Sequence, residues 1–242
     1  LLQLVSGLFP TRCDICSGQQ KDYFVGSVCR RCLEGIRPCE LPYCSRCGRI
    51  FSSETLGELK GGFLCRRCLS RTSSLSMVRA FGVYDGAMRK LIHSYKYNGR
   101  VFLAGFLSRK LWESFLGKEI FCGVQGIVPV PLHRRREKAR GFNQSEAVAR
   151  GLAGRLHCEM LHAVVRRTRD TAPQAGLSLR ARKRNVRGAF EVKSTKRIEG
   201  KCLLLIDDVV TTGATMEECG KVLLRGGAAE VRGICVARTL FV

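Results

Sequence analysis

The chain has 242 residues, a length that fits one large α/β domain or a medium one with a small appendage and excludes several large domains. Hydrophobic residues at 45% and charged residues at 26% suit a globular chain, and no uncharged apolar run reaches the ~18 residues that span a bilayer, so no membrane insertion is expected. The 42 Lys and Arg outnumber 20 Asp and Glu, and residues 133 to 201 alone carry 19 basic against 6 acidic side chains; the resulting +22 points to a polyanionic partner or a phosphorylated substrate.

Leu1 to Pro10 is apolar but lacks the basic start and small-residue cleavage site of a secretory signal, and reads as a short packed segment. Nine of the 14 cysteines fall in the first 68 residues. Eight of them form four C-x2-C knuckles, Cys13/Cys16, Cys29/Cys32, Cys44/Cys47 and Cys65/Cys68, separated by 12, 11 and 17 residues. Each knuckle presents two thiolates to one tetrahedral ion, so pairs of knuckles close two all-cysteine zinc sites. With no open coordination position, such sites fold the chain rather than catalyse. Sequential pairing is the simplest; a cross-braced pairing is also possible, and the sequence does not choose. Cys39 is left over and could replace a ligand. Cys122, Cys158, Cys202, Cys219 and Cys235 have no pair spacing and read as buried thiols. Zinc knuckles rather than disulfides imply a reducing compartment, hence a cytoplasmic protein.

The polar, Ser-rich segment Arg71 to Met77 places a boundary between a zinc module, residues 1–72, and a larger part, residues 73–242. Val78 to Gly86 alternates like a strand and ends on an Asp-Gly turn. Ala87 to Tyr97 reads as an amphipathic helix with Met88, Leu91, Ile92 and Tyr95 on one face and His93 off it. Val101 to Leu116 is a second helix, with Trp112 assigned to the core. Gly126 to Pro131 is an apolar strand whose prolines cannot sit inside a paired sheet, so the chain must leave the sheet there. Glu146 to Leu156 is helical, with Asn143 or Ser145 available as its cap. Lys201 to Val210 opens as a continuous apolar run, as in a strand buried on both faces. A helix over Thr215 to Gly227 and a strand over Val231 to Thr239 follow. This alternation predicts an α/β fold with a parallel, doubly wound sheet.

The segment LLLIDDVVTTGAT, residues 203 to 215, carries the most chemistry. An apolar strand delivers two carboxylates, Asp207 and Asp208, at its carboxyl end, where open α/β sheets bind ligands. The Thr/Gly loop that follows, Thr211, Thr212, Gly213, Ala214 and Thr215, puts backbone N–H groups and hydroxyls at a helix start, a geometry that holds a phosphate monoester. Carboxylates beside a phosphate would repel it unless they face ribose hydroxyls or Mg2+, so a sugar phosphate satisfies both features.

These residues resemble the PRPP-binding signature of type I phosphoribosyltransferases. Together with Ile127 to Ala149, Arg166 to Phe190, the VYDGAMRKLIHSYKYNGR segment and the knuckles, nearly the whole chain resembles the ComF family, the competence protein F-like phosphoribosyltransferases, which implies a type I phosphoribosyltransferase-like sheet behind a double zinc ribbon. The resemblance implies that Asp207 and Asp208 bind the ribose hydroxyls, that Thr211 to Thr215 bind the 5′-phosphate, and that Val130, Pro131, Leu132 and His133 belong to the pyrophosphate loop. Arg134, Arg135 and Arg136 follow it, either neutralising diphosphate or forming a solvated run. Gln174, Arg182 and Asn185 match a flexible loop that closes over the site, and His133 is the nearest candidate acid or base. The implied reaction is displacement at C1 of PRPP, with Mg2+ on the diphosphate and release of pyrophosphate to an unidentified acceptor. The family name adds a link to DNA uptake. It keeps open a non-catalytic alternative, a PRPP-responsive competence module that binds single-stranded DNA and protein partners of the competence machinery.

Overall fold

The computed structural model describes residues 12–13, 15–18, 23–25, 28–40, 42–51, 62–171 and 178–240; the Leu1 to Pro10 segment and Gln174 lie outside them. In chain order the elements are β1 (Tyr23–Val25), β2 (Val28–Cys29), α1 (Arg30–Glu34), α2 (Arg66–Leu69), β3 (Val78–Val83), α3 (Gly86–Tyr97), α4 (Leu103–Phe115), a 3-10 turn (Glu119–Phe121), β4 (Gly126–Pro129), α5 (Arg134–Arg140), α6 (Gln144–Leu156), β5 (Glu159–Met160), β6 (Val165–Arg167), α7 (Leu179–Val186), β7 (Phe190–Val192), β8 (Cys202–Val210), α8 (Ala214–Arg225) and β9 (Glu230–Arg238).

Five strands form a parallel sheet in the order β3-β9-β8-β4-β5, and β6 pairs antiparallel with β7 beside it. The apolar run of β8 is buried on both faces. Leu204 and Ile206 join one core with Ile234 and the inner sides of α3, α4 and α6, while Leu203 and Leu205 join a second core with Met216, Cys219 and Leu223 of α8. Period-two alternation thus sends every second side chain of one strand to each layer of helices. Met88, Leu91, Ile92 and Tyr95 are buried along α3, and His93 is exposed. Among the described residues no helix is long and apolar enough to cross a membrane.

The cysteine module is built onto this core. Residues 37–39 run antiparallel to the outer edge of β3, with Cys39 N–H donating to the Phe81 carbonyl at 2.9 Å and Val83 N–H to that of Arg37 at 2.8 Å. A Cβ on Gly82 would lie 2.6 Å from the Met88 methyl and 3.1 Å from Ile36, so this approach requires glycine. Cys13, Val28, Cys29, Cys32 and Ile36 share the core of α3.

Several sequence expectations are corrected. Trp112 is half-buried and stacks on Phe121 at the rim of the core, at 6.0 Å between ring centroids. Of the five cysteines outside the knuckles that were read as buried, Cys122 is exposed, just past the 3-10 turn, Cys158 and Cys202 are half-buried, and Cys219 and Cys235 are fully enclosed. The stretch read as a flexible loop contains helix α7, because the Ser178 hydroxyl accepts from Ala181 N–H as an N-cap and Val186 is buried at its end. The basic run after β4, for which no element was assigned, forms helix α5, ended by Gly141 at φ 83°.

Candidate functional site

β4 is followed in the sheet by β5 on one side, and β8 by β9 on the other, with α6 and α8 on opposite faces. The carboxyl ends of β4 and β8 therefore flank a topological switch point, where the diverging loops leave a crevice. β4 ends early. Pro129 pairs with Ile206 as its last register position, while β8 continues past it beside β9 to Val210. Pro129 has no N–H to donate, and Val130 N–H makes the closing bond to the Ile206 carbonyl at 2.9 Å. Beyond that point Asp207 and Asp208 face an open cleft of about 530 Å³.

The cleft joins Val130, Pro131 and Leu132 from the β4 exit to Asp207, Asp208, Thr211, Gly213, Ala214 and Thr215 from the β8 exit, with Arg182 reaching in from α7. Gly213 sits at φ 77° with open space around its Cβ position, so its backbone conformation, not crowding, demands glycine. Thr212 is buried instead, its hydroxyl accepting from Ala214 N–H at 3.3 Å and bracing the loop from behind. His133 caps α5, accepting from Arg135 N–H at 3.4 Å, and Arg134 is exposed; neither lines the cleft. Asn185 also lies on α7.

Further side chains complete the cleft, among them Arg136 from the basic run after β4. Lys96, at the end of α3, places Nζ 2.8 Å from Asp208 Oδ2. Burial works against this ammonium, but the Asp208 carboxylate outweighs it and holds the Lys96 pKa above its ordinary value. Ser145, in the first turn of α6, donates to Asp207 Oδ1 at 3.2 Å, and the Asp208 N–H donates to the same oxygen at 2.9 Å. Burial, reinforced by the Asp208 charge, still raises the Asp207 carboxyl to about 7. Arg136 and Arg167 line the wall nearest the β4 exit. Arg136 donates to the Thr171 carbonyl and Arg167 to the Thr171 hydroxyl. The Arg167 guanidinium lies 5.4 Å from the Phe190 ring centroid, its pKa lowered by burial and by Arg136. Lys96 sits on the polar edge of an amphipathic helix and Arg167 within a run of arginines, so neither stood out from its neighbours.

The knuckles pair sequentially. Cys13, Cys16, Cys29 and Cys32 form one cluster and Cys44, Cys47, Cys65 and Cys68 the other, all Sγ atoms within 4.8 Å in each. Cys13 to Cys32, Cys16 to Cys29 and Cys47 to Cys65 are separated by 3.8, 3.9 and 3.7 Å. Tetrahedral thiolates with Zn–S near 2.3 Å lie about 3.8 Å apart, so both clusters fit zinc. Backbone N–H groups of Ile15 and Cys29 point to Cys13 Sγ, and that of Cys65 to Cys44 Sγ, as expected for thiolate sulfur. Cys39 belongs to neither cluster, and burial pushes its thiol up to about 12.

Comparison with known proteins agrees with this layout. The phosphoribosyl transferase domain family matches residues 139–240, and the double zinc ribbon domain family matches residues 4–69. The chain is 37% identical over 216 residues to a protein of Escherichia coli (strain K12) named DNA utilization protein YhgH, covering 88% of this chain and 91% of that protein. It is 29% identical over 234 residues to Competence protein F of Haemophilus influenzae, covering 95% and 98%, and 33% identical over 165 residues to Competence protein ComFC of Streptococcus pneumoniae, covering 66% and 67%. With cysteine clusters, switch-point cleft and relatives matching along its length, the chain belongs to the ComF family and joins a double zinc ribbon to a phosphoribosyltransferase-type fold.

Proposed function

We propose that the switch-point cleft binds PRPP and transfers its phosphoribosyl group to an acceptor, releasing pyrophosphate. The observation that carries this reading is the meeting of the carboxylate pair, the Thr211–Thr215 loop and the β4 exit in one cleft walled by arginines. Thr211, Thr215 and the loop N–H groups of Thr212 and Gly213 take the 5′-phosphate. Asp207 and Asp208 accept from the ribose hydroxyls, and Val130 to Leu132 offer backbone to the diphosphate, with His133 and Arg134 at the margin of that loop. Arg136 and Arg167 neutralise the leaving diphosphate as its bond to C1 breaks and the acceptor's bond to C1 forms. Arg182, with Gln174 in the segment before α7, closes over the ribose and limits capture of its cationic transition state by water. Carboxylate oxygens are the donors that Mg2+ prefers. Asp208 is already neutralised by Lys96, so Asp207 is the better placed to hold the ion, which would supply charge neutralisation on the diphosphate when bound.

The test is calorimetry with PRPP and Mg2+ on the wild type and on the Asp207→Ala/Asp208→Ala variant. Each lost charged hydrogen bond is worth about 1.5 to 3 kcal/mol, so affinity should fall at least 100-fold; unchanged affinity would remove the assignment. Pyrophosphate release across a panel of bases, amines and oligonucleotides then identifies the acceptor.

A second reading, single-stranded DNA binding in support of DNA uptake, is favoured by the cations that α5 and α7 carry on exposed positions, Arg134, Arg135, Arg180 and Arg184 among them. It predicts oligonucleotide binding whose log K falls with log salt by roughly 0.7 per phosphate contact; a flat salt dependence would exclude it.

A further inference from the structure

A second cleft, of about 820 Å³, opens on the other side of the phosphate loop, between the second cysteine cluster, α7 and the start of α8. Seven Lys and Arg side chains line it against two carboxylates. The cations come from four separate parts of the chain: Arg67 and Arg71 from the zinc ribbon, Lys183 and Arg184 from α7 with Arg187 just after it, Lys221 from α8, and Arg238 from the end of β9. The carboxylates are engaged in the cleft wall, Glu217 by Ser73 and Ser74 and Glu218 by Gly188 N–H and Lys221; with that last pair set aside, six cations face one carboxylate. A zinc-loaded second cluster, bordering the cleft through Cys47 and Cys68, has a net charge of −2 and offsets only part of the positive charge.

Arg238 is the informative member. It is 3% exposed, and its Nε and Nη1 are buried with no hydrogen-bond partner. A guanidinium is not deprotonated, and its charge, which acts on Cys39 and Cys47, is costly to bury with so few acceptors; an anion at the small part of Arg238 that opens on the cleft offsets some of that cost. Lys183 reports the same field, since burial and the nearby Arg67 and Arg71 lower its pKa. Beside the cations lies an apolar floor of Leu75, Val78, Val186, Val210 and Met216, all buried.

We propose that this cleft is a second binding site for a compact polyphosphate, free or carried by a nucleotide, with its terminal phosphate on Arg238. The depth of Arg238 selects this class over a nucleic acid strand. A terminal phosphate can approach the small part of Arg238 that opens on the cleft, whereas an in-chain phosphodiester would have to bring its flanking sugars along. The site borders the PRPP cleft through Gly213 and Ala214, and Arg67 Nη1 donates to the Thr212 carbonyl at 2.8 Å. A ligand that engages Arg67 thus acts on the back of the loop proposed to hold the 5′-phosphate, and by linkage the two sites influence each other's affinity.

The experiment titrates the full zinc-loaded chain with inorganic tripolyphosphate and with ATP, by calorimetry at low salt. Arg71→Ala/Lys183→Ala, which changes two side chains at the mouth, should weaken tripolyphosphate by about ten-fold or more and leave PRPP affinity within about two-fold. Arg238→Met should do the same, and Arg238→Lys should restore part of the binding; the mouth variant decides the matter if the Arg238 variants fail to fold. ATP binding more tightly than tripolyphosphate identifies a nucleotide as carrier, and equal affinity identifies the free polyphosphate. The proposal is overturned by no binding at 1 mM, on the order of the weakest affinity such a charge cluster would give, by tripolyphosphate affinity unchanged in the mouth variant, or by displacement with an oligothymidine lacking terminal phosphates at potency equal to tripolyphosphate.

Discussion

Asp207 and Asp208 are neighbours on β8 with the same side-chain chemistry but different environments. Asp208 is paired with Lys96, whereas Asp207 is satisfied by a hydroxyl and a backbone N–H, and burial raises its carboxyl to about 7. A carboxyl whose pKa is higher in the folded than in the unfolded state adds stability that is complete below the unfolded value near 4 and is lost as pH rises through the folded value. The ligand-free protein should therefore lose stability between about pH 4 and 7, and Asp207→Asn, which cannot ionise, should flatten that slope in denaturant titrations. PRPP binding runs the opposite way: if it uses the Asp207 carboxylate, affinity rises with pH through 7 and binding releases a proton, measurable in buffers of different ionisation enthalpy. An unaltered pH slope in the variant would show that Asp207 is not the group responsible.

The helices place these groups through a few contacts between backbone and side chain. Asn143 caps α6 by accepting from Ser145 and Glu146 N–H, and its amide donates to the Val130 carbonyl at 3.2 Å, fastening the helix that carries Ser145 to the β4 exit. α6 in turn rests on α4 at Gly151, where an added Cβ would lie 2.4 Å from Ser108 Oγ and 2.9 Å from Ser108 Cβ. Gly151→Ala should cost about 1 to 3 kcal/mol by overpacking, and Ser108→Gly in the same chain should recover part of it; equal stability of the two variants would show that the helices part freely. The strands and long helices were legible because their patterns are local: the apolar run of β8, the amphipathic spacing of α3, the prolines after β4. The two-residue β5 and the antiparallel β6–β7 pair were not, since such short pairings are set by tertiary contacts rather than by pattern. α7 was hidden by its arginine-rich composition, which reads as polar loop but has good helix propensity behind the Ser178 cap. The carboxylate and threonine part of the site was legible because its residues are contiguous. Arg136 was legible as part of the basic run after β4, whereas Lys96 and Arg167 were not, because only the fold brings their distant segments to the cleft.

The two cysteine clusters are not equivalent in the assembled molecule. Cys13, Cys29 and Cys32 are continuous with the core beneath α3, while Cys44, Cys65 and Cys68 form a small separate cluster with Phe51 and Leu64 around it. Losing zinc from the first site should therefore loosen the larger core, and losing it from the second should act mainly locally. Cys13→Ser is expected to lower Tm more than Cys44→Ser, on a scale where each kcal/mol shifts a chain of this size by about 2 to 4 °C. Fluorescence of Trp112, on the core rim, should follow the first variant but not the second; equal effects would show that the module is energetically separate.

The pairing of β3 with β9 bears on how the chain is made. β3 is synthesised early and ends at Val83, yet the strand that covers one of its edges ends at Arg238. At roughly 5 to 20 residues per second, a ribosome leaves that edge without its partner for roughly 8 to 30 s. The opposite edge is bridged at Gly82 by Pro38, which lies between the two cysteine clusters in the sequence and emerges first. If the knuckles are loaded as they emerge, the segment between them can cover this edge while β9 is still to be made, so cells short of zinc should accumulate insoluble protein before any mature copy loses its metal.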